Sequence, residues 1–326
     1  MSSNHLLYIS RCLDLGGLGL NDVKKNPNVG ALLVYNNHII GEGYHRKYGG
    51  PHAEVKAFNS VSESDQHLIK NATLYISLEP CCIHGKTPPC TERIIKEGVK
   101  KVVIATTDPN SKMNGKSITI LQKAGIEVIS GLNLEGGQKL IAPFSQTLKG
   151  RPYIILKWAQ STEGYITTKG QQVKISNNYT DVLTHKWRSQ VDGIMVGHNT
   201  VMIDNPRLDV RHINGCNLQP IIMTNSPEQL QSSYLFAQDT KPLIFDYSNI
   251  NLMMTDLLDK GICRLLVEGG ARTHKFFINE GLWDEARIIR SQKRIAKGIR
   301  SAKLHGRLYK SQKVAGDTID YLYRNH

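Results

Sequence analysis

Short apolar runs, separated by polar turns and alternating with helix-like stretches, set the plan of this chain. Val29–Tyr35 and His38–Gly43 predict a β-hairpin around Asn36-Asn37. Gly49-Gly50-Pro51 then breaks the chain, and His52 to Phe58 reads as a helix start. The run Thr73–Leu78 predicts a strand, a helix begins after Cys90, and Lys101–Thr106 predicts another strand. A helix near Lys116–Ala124 leads to a strand at Ile126–Ile129. Strands and helices in this order predict a three-layer α/β/α domain. Lys149-Gly150-Arg151-Pro152 interrupts the pattern, which divides the chain into units 1–148 and 149–326. The second unit alternates in the same way. It has a strand Tyr153–Lys157, a helix ending at His185-Lys186-Trp187-Arg188, a buried strand Gly193–Gly197, and a strand Leu265–Val267 running into Gly269-Gly270 and a helix. No internal repeat or low-complexity tract is visible.

Composition supports two globular units. A chain of 326 residues with 40% hydrophobic and 21% charged residues is long enough for two cores and is not of a disordered kind. No stretch is long and apolar enough to span a bilayer. Met1 to Leu20 lacks a basic segment followed by an apolar one, so no secretion signal is expected. Three of the six cysteines cluster like ligands, which points to reduced thiols and a cytoplasmic setting. Cys12, Cys216 and Cys263 read as buried small apolar residues. The net charge is +13, and Arg287 to Lys313 holds ten Lys or Arg and no acid. Such a run could bind nucleic acid, form a solvated face, or attract phosphorylated small molecules. It lacks the interleaved aromatics that stack on single-stranded bases, which favours the last two.

The chemistry concentrates in two segments. Pro51-His52-Ala53-Glu54 places a His and a carboxylate two residues apart. Pro80-Cys81-Cys82-Ile83-His84-Gly85-Lys86-Thr87-Pro88-Pro89-Cys90 supplies three cysteines. An H-x-E segment followed by P-C and a second Cys is the arrangement of the zinc deaminases. The expected zinc ligands are His52, Cys81 and Cys90. Three ligands leave the fourth position of the metal for water, whose pKa falls towards neutrality. Glu54, not needed as a ligand, would carry protons from water to the ring nitrogen and the departing amine. A closed structural site completed by Cys82 or His84 is the other reading of the cluster. His84 reads as a loop residue lining the site, and His45 as a satisfied or surface histidine.

Eight residues separate Cys81 from Cys90, where the simple deaminase signature has two. That longer loop, with the segments PNVGA at Pro27, GEGYH at Gly41, PHAEVKA at Pro51, LEPC at Leu78 and Asp108-Pro109-Asn110, resembles the RibD family of riboflavin-biosynthesis deaminase–reductases. In the second half, Thr200-Val201-Met202-Ile203-Asp204-Asn205-Pro206-Arg207-Leu208 and the Gly269-Gly270 turn are similar to the reductase half of those enzymes. The resemblance covers about residues 5 to 290. It implies a cytidine-deaminase-like N-terminal domain and a dihydrofolate-reductase-like C-terminal domain that uses NADPH. It implies cofactor contacts at Ala159, Thr200, Asp204 and Gly270, and substrate contacts at Arg188, Leu208, Arg211 and Glu268. The forked donors of two arginines suit a ribose phosphate. The expected substrate is a phosphorylated pyrimidine, with no nucleic-acid or membrane partner and with a homo-oligomeric assembly. The chain departs from the family at Ser161-Thr162-Glu163-Gly164, at Gln172 in place of a substrate-binding Ser, at Lys174 in place of a Trp, and after Pro220. An active deaminase with a degenerate reductase domain, a tRNA or nucleic-acid deaminase, and a zinc-stabilised binding protein are the competing readings.

Overall fold

The computed structural model describes residues 3–20, 22–85, 88–168, 173–215 and 218–325. Gln172 and Cys216 lie outside the described residues, as do Lys86 and Thr87 of the cysteine loop. The chain divides into two compact units, Met1–Lys149 and Gly150–His326.

The first unit begins with α1 (Ser3–Gly17), which the apolar pattern did not announce. The hairpin β1 (Gly30–Tyr35) and β2 (His38–Tyr44) follows, then α2 (Ala53–Asn59) and β3 (Thr73–Leu78). Next come α3 (Cys90–Lys96), β4 (Lys101–Thr106), α4 (Lys116–Lys123), β5 (Glu127–Ser130), α5 (Leu134–Leu140) and α6 (Ala142–Leu148). Asn36 and Asn37 close the hairpin at φ 45° and 64°, left-handed angles that Asn tolerates better than most residues. The sheet order is β2-β1-β3-β4-β5, and β3, β4 and β5 are parallel. Strand periodicity separates its two faces. Ala31, Leu33, Leu74, Ile76, Val102 and Ile104 pack with α2, α3 and α4 residues such as Phe58, Ile94 and Leu121. Leu32, Val34, Tyr75, Val103 and Ala105 pack with Ile9, Cys12 and Leu15 of α1. The three layers are therefore built from single strands that are apolar on both sides.

In the second unit β6 (Tyr153–Gln160) runs three residues beyond its expected end. It is followed by β7 (Tyr165–Thr167), α7 (Asn178–Arg188), β8 (Gly193–Gly197), α8 (His198–Asp204), β9 (Gln219–Met223), α9 (Tyr234–Ala237) and β10 (Leu243–Phe245). Then come α10 (Ile250–Asp259), β11 (Arg264–Val267), α11 (Ala271–Asn279), β12 (Glu285–Arg290), β13 (Ile299–Arg300), β14 (Arg307–Val314) and β15 (Asp317–Tyr323). The main sheet has the order β10-β9-β8-β11-β6-β12-β15-β14. Its first six strands are parallel, and β15 and β14 add antiparallel at the far side. Connections run outward from β8 to β9 and β10, and the other way from β11 to β12. A crevice therefore opens at the carboxyl ends of β8 and β11, the usual ligand position in such sheets.

The basic run Arg287–Lys313 is not a free tail. Arg287 donates to Glu285 at 2.8 Å and lies over the Trp187 ring, and Arg290 pairs with Asp320 at 2.6 Å. Lys293 donates to the Lys174 carbonyl, Arg300 lies over Tyr165, and Lys310 lies over Tyr321. These five cations, on β12, β13, β14 and the turn after β12, are each engaged by a different partner. No helix among the described residues is long and apolar enough to cross a membrane.

Candidate functional site

The zinc-ligand candidates converge from three chain segments. His52 is the N-cap of α2, in extended conformation directly after Pro51. β3 delivers Glu79, Pro80 and Cys81 to the same end of the sheet, and Cys90 is the first residue of α3. His52 Nδ1 lies 3.3 Å from Cys90 Sγ and 3.4 Å from Cys81 Sγ. A tetrahedral zinc with ordinary Zn–N and Zn–S bonds would set that N···S edge at about 3.6 Å. The three donor atoms all lie within 4.8 Å of one another, so the set fits the metal. Its electrostatics agree. The Cys81 thiol is pulled down to about 4, first by its hydrogen bond with Cys90 and also by His52. The Cys90 backbone N–H donates to Cys81 Sγ at 3.2 Å. His52 is raised, chiefly by its hydrogen bond to Cys81. A thiolate held by two donors is the form that binds zinc.

Neither candidate for a fourth ligand joins the three donors. His84 Nε2 pairs with Glu92 at 2.8 Å on the surface, and Cys82 Sγ faces the Met113 sulfur at 3.9 Å. Glu54 sits in the first turn of α2, 3% exposed, and burial raises its pKa. A buried carboxyl next to the ligand set holds its proton more tightly than an exposed one and is suited to carry protons there. A cavity of about 210 Å³ opens here, lined by His52, Cys81, Asn26, Tyr48, Gly49 and Ile83.

Two supporting groups were given no role at the site from the sequence. Glu79 is buried and accepts four hydrogen bonds. They come from the backbone of Asp108 (3.1 Å), Gly115 (2.9 Å) and Ser117 (3.2 Å), and from Ser117 Oγ (2.6 Å). It pins the chain two residues before Cys81. His45 stands edge-on to His52, with ring centroids 5.6 Å apart. Its Nδ1 lies 3.1 Å from the Pro51 carbonyl and its Nε2 lies 3.0 Å from the Asn26 amide. Burial lowers its pKa, and a neutral ring donating through Nδ1 and accepting through Nε2 satisfies both contacts. The satisfied histidine of the sequence reading therefore also braces the metal side of the loop.

In the second unit a cavity of about 560 Å³ runs along the carboxyl ends of five parallel strands. Ala159 is on its wall at β6, Thr200 and Asp204 at α8, Glu268 beyond β11, and Gly270 at the N-cap of α11. A Cβ on Gly269 would lie 2.7 Å from Thr273 Cβ, so this turn needs glycine to pack on α11. A second cavity of about 440 Å³ is lined by Arg188, Asp204, Arg207, Leu208 and Arg211. Asp204 lies on both. Leu208 is buried at φ 53°, a left-handed angle costly for a branched side chain, in the segment that walls this cavity.

The arginines differ in what they offer. Arg188 binds Glu268 with two hydrogen bonds of 2.9 Å and the Asp209 carbonyl with a third of 3.0 Å, so its fork is already engaged. Arg211 is exposed and paired with Asp209 at 2.5 Å. Burial opposes ionisation of Glu268, yet Arg188 and Lys157 hold its carboxyl down to about 2. Lys157 Nζ lies 3.7 Å from Glu268 on the larger cavity's wall, and burial lowers its pKa. The sequence reading saw it only as the end of a strand. Lys174 lies on the same wall, where it bonds Asn178 at 2.6 Å and Asp181 at 2.7 Å instead of presenting an aromatic face.

Comparisons with known proteins agree with both halves. Residues 3–106 match the cytidine and deoxycytidylate deaminase zinc-binding region, and residues 152–292 match the RibD C-terminal domain. The chain is 34% identical to the riboflavin biosynthesis protein RibD of Aquifex aeolicus, over 90% of this chain and 88% of that one. The crystal structure of a diaminohydroxyphosphoribosylaminopyrimidine deaminase/5-amino-6-(5-phosphoribosylamino)uracil reductase from Thermotoga maritima superposes with a TM-score of 0.89 at 29% identity, covering 99% of each chain. Acinetobacter baumannii RibD gives a TM-score of 0.86 at 27% identity, again over 99% of each chain.

Proposed function

Because the chain belongs to the RibD family, and so joins a zinc-dependent cytidine-deaminase-like hydrolase to a reductase, we propose that it acts on the substrates for which the Thermotoga maritima relative is named. The first unit deaminates 2,5-diamino-6-ribosylamino-4(3H)-pyrimidinone 5′-phosphate, and the second reduces 5-amino-6-(5-phosphoribosylamino)uracil to its ribitylamino form. The observation that carries the reading is the three-donor set beside a buried carboxyl.

His52, Cys81 and Cys90 would hold zinc, which would supply the Lewis acidity that makes water nucleophilic near neutral pH. Glu54 takes the proton that water gives up, passes it to the ring nitrogen, and helps release the amine as ammonia. Cys81 and Cys90 are held as sulfur donors by the α3 N-terminus and His52. In the second unit, NADPH would supply a hydride when bound. Ala159, Thr200, Asp204 and Gly270 seat the dinucleotide along the larger cavity. Glu268, fixed by Arg188, offers a carboxylate to the sugar hydroxyls. Leu208 packs on the substrate and Arg211 meets its phosphate. Lys157, 3.7 Å from Glu268 on the same wall, would help fix that carboxylate.

The enzyme works in the cytoplasm in this reading, supported by the free thiols of Cys12, Cys81, Cys82, Cys90 and Cys263, and as an assembly of identical chains. Light scattering on the purified chain tests the assembly. The function is tested by following ammonia release and NADPH oxidation separately with the pyrimidine phosphate. Glu54→Gln should retain zinc and release no ammonia; normal turnover in that variant refutes the assignment of Glu54.

A further inference from the structure

We propose that Arg272, laid over the Tyr247 ring, reads the 2′-phosphate of the dinucleotide and so selects NADPH over NADH. This rests on the reductase reading given above and assigns the end of the cavity that reading leaves open.

The larger cavity follows the sheet order β6-β11-β8-β9-β10. It passes from Lys157–Ala159 through Glu268–Gly270 and Gly197–Thr200 to Thr224–Ser226 and then Tyr247. Four inter-strand steps of about 4.8 Å carry it roughly 19 Å. Reduction takes place at the β6 end, beside Lys157 and Glu268. The pyrophosphate crosses at Gly270, in the crevice between β8 and β11. The adenosine half must then reach the ends of β9 and β10.

The groups at those ends suit a phosphate monoester and not a bare ribose. Sheets that bind an unphosphorylated dinucleotide place a carboxylate at the next strand's end to accept the 2′-hydroxyl, whereas an arginine there accommodates a 2′-phosphate. Here β9 is followed by Thr224-Asn225-Ser226, with no acid. The carboxylates on the cavity wall, Asp204 and Glu268, belong to its other portions. Asp246, next to Tyr247, is turned to Ser248, whose backbone N–H and Oγ donate to it at 2.9 and 2.5 Å.

Arg272 is on the cavity wall, and its guanidinium carbon lies 5.1 Å from the Tyr247 ring centroid. No carboxylate among the described residues pairs with it. Tyr247 is itself held edge-on by Phe276 at 5.1 Å. The guanidinium is thus oriented by a ring and retains its donors for an anion. His198, whose Nδ1 is 2.8 Å from Thr224 Oγ1, stands on the same wall. Lys174 is the competing cation, but Asn178 and Asp181 already occupy its ammonium.

The test uses the full chain and two adenosine half-ligands, adenosine 2′,5′-bisphosphate and 5′-AMP, measured by calorimetry. The wild type should bind the bisphosphate roughly 10- to 100-fold more tightly, the scale of a charge-assisted contact. Arg272→Ala should erase that preference and leave 5′-AMP unchanged, Arg272→Lys should restore part of it, and Lys174→Ala should keep it. In steady state Arg272→Ala should raise the KM for NADPH without raising that for NADH. The proposal is overturned if the wild type shows no preference, if Arg272→Ala keeps it, or if Lys174→Ala removes it. A bisphosphate preference that depends on Arg272, in a chain that reduces nothing with either dinucleotide, sustains this assignment and refutes the reductase reading instead.

Discussion

Glu79 is the residue through which the zinc loop is fastened to the rest of its unit, and Glu79→Gln measures that fastening. The carboxylate accepts at Oε2 from the backbone of Asp108 and Gly115, and at Oε1 from the backbone and hydroxyl of Ser117. An amide of the same shape can keep only one acceptor oxygen. Its least costly orientation points the NH₂ at Ser117, whose hydroxyl can rotate to accept, while the Ser117 backbone N–H is left without a partner. One charge-assisted bond is lost outright at about 1.5–3 kcal/mol, and the remaining three become neutral and weaker. A net loss of about 3–4 kcal/mol follows. In a unit of this size that lowers the melting temperature by roughly 6–15 °C. Because Cys81 is two residues away, zinc affinity should also fall, by about 10- to 100-fold as for other groups that orient a ligand. Calorimetric melting and competition with a chromophoric chelator read the two effects, and NADPH oxidation on the deaminated substrate serves as the control. A variant that melts within about 2 °C of wild type and holds zinc equally well would show that the loop positions itself.

Three further outcomes are expected. Chelation of zinc should abolish ammonia release and leave reduction of the deaminated substrate intact; loss of both would mean that the ion supports the whole chain. Arg211→Ala should raise the KM for reduction roughly 10- to 100-fold, as for a lost charge-assisted phosphate contact, with deamination unchanged. Equal loss of both activities would argue against separate sites. Glu268 has a folded pKa of about 2 against an ordinary 4.5. Its contribution to stability is therefore complete above about pH 4.5 and lost as pH falls towards 2. The stability gap between wild type and Glu268→Gln, from urea titrations, should accordingly shrink over that window; a constant gap would mean that the carboxylate is not held by Arg188 and Lys157.

The deaminase ligand set was legible because its chemistry is written in short segments anchored by local structure. His52 follows Gly49-Gly50-Pro51 and opens a helix, Cys81 lies three residues past the end of a strand, and Cys90 opens the next helix. Each residue's place is fixed by its neighbours in sequence, so the turn signals that locate the elements also locate the ligands. The strands β3, β4 and β8 fall at the residues the apolar runs predict. Glu79 was not legible as an anchor, although it lies inside the same segment. Its partners are at positions 108, 115 and 117, on another strand's exit and another helix, and nothing in the segment names them. The helix α1 escaped for a related reason. Its inward side is short, with Ile9, Cys12 and Leu15 buried, while Leu6 and Leu7 remain exposed and blur the period.

The reductase cavity is assembled differently, and its opacity has a physical cause. Its walls are the exits of five strands that lie side by side in space but are spread from Lys157 to Arg272 along the chain. A residue such as Lys157 becomes a buried cation only because β11 pairs with β6 and brings Glu268 alongside. Likewise, the forked Arg188 reads from sequence as a phosphate binder, whereas in the fold its donors are engaged by Glu268 and the Asp209 carbonyl. The ten basic residues from Arg287 to Lys313 make the same point at larger scale. A run that looks like one positive surface is divided by strand alternation and by the β12–β15 and β14–β15 pairings, which set acids and rings opposite the cations. Charge written along a chain becomes a field only if the fold keeps it together, and here the sheet disperses it. Among the described residues of the cavity wall, the cation we propose for phosphate at the β10 end, Arg272, comes from outside the run and lies over a ring, not a carboxylate.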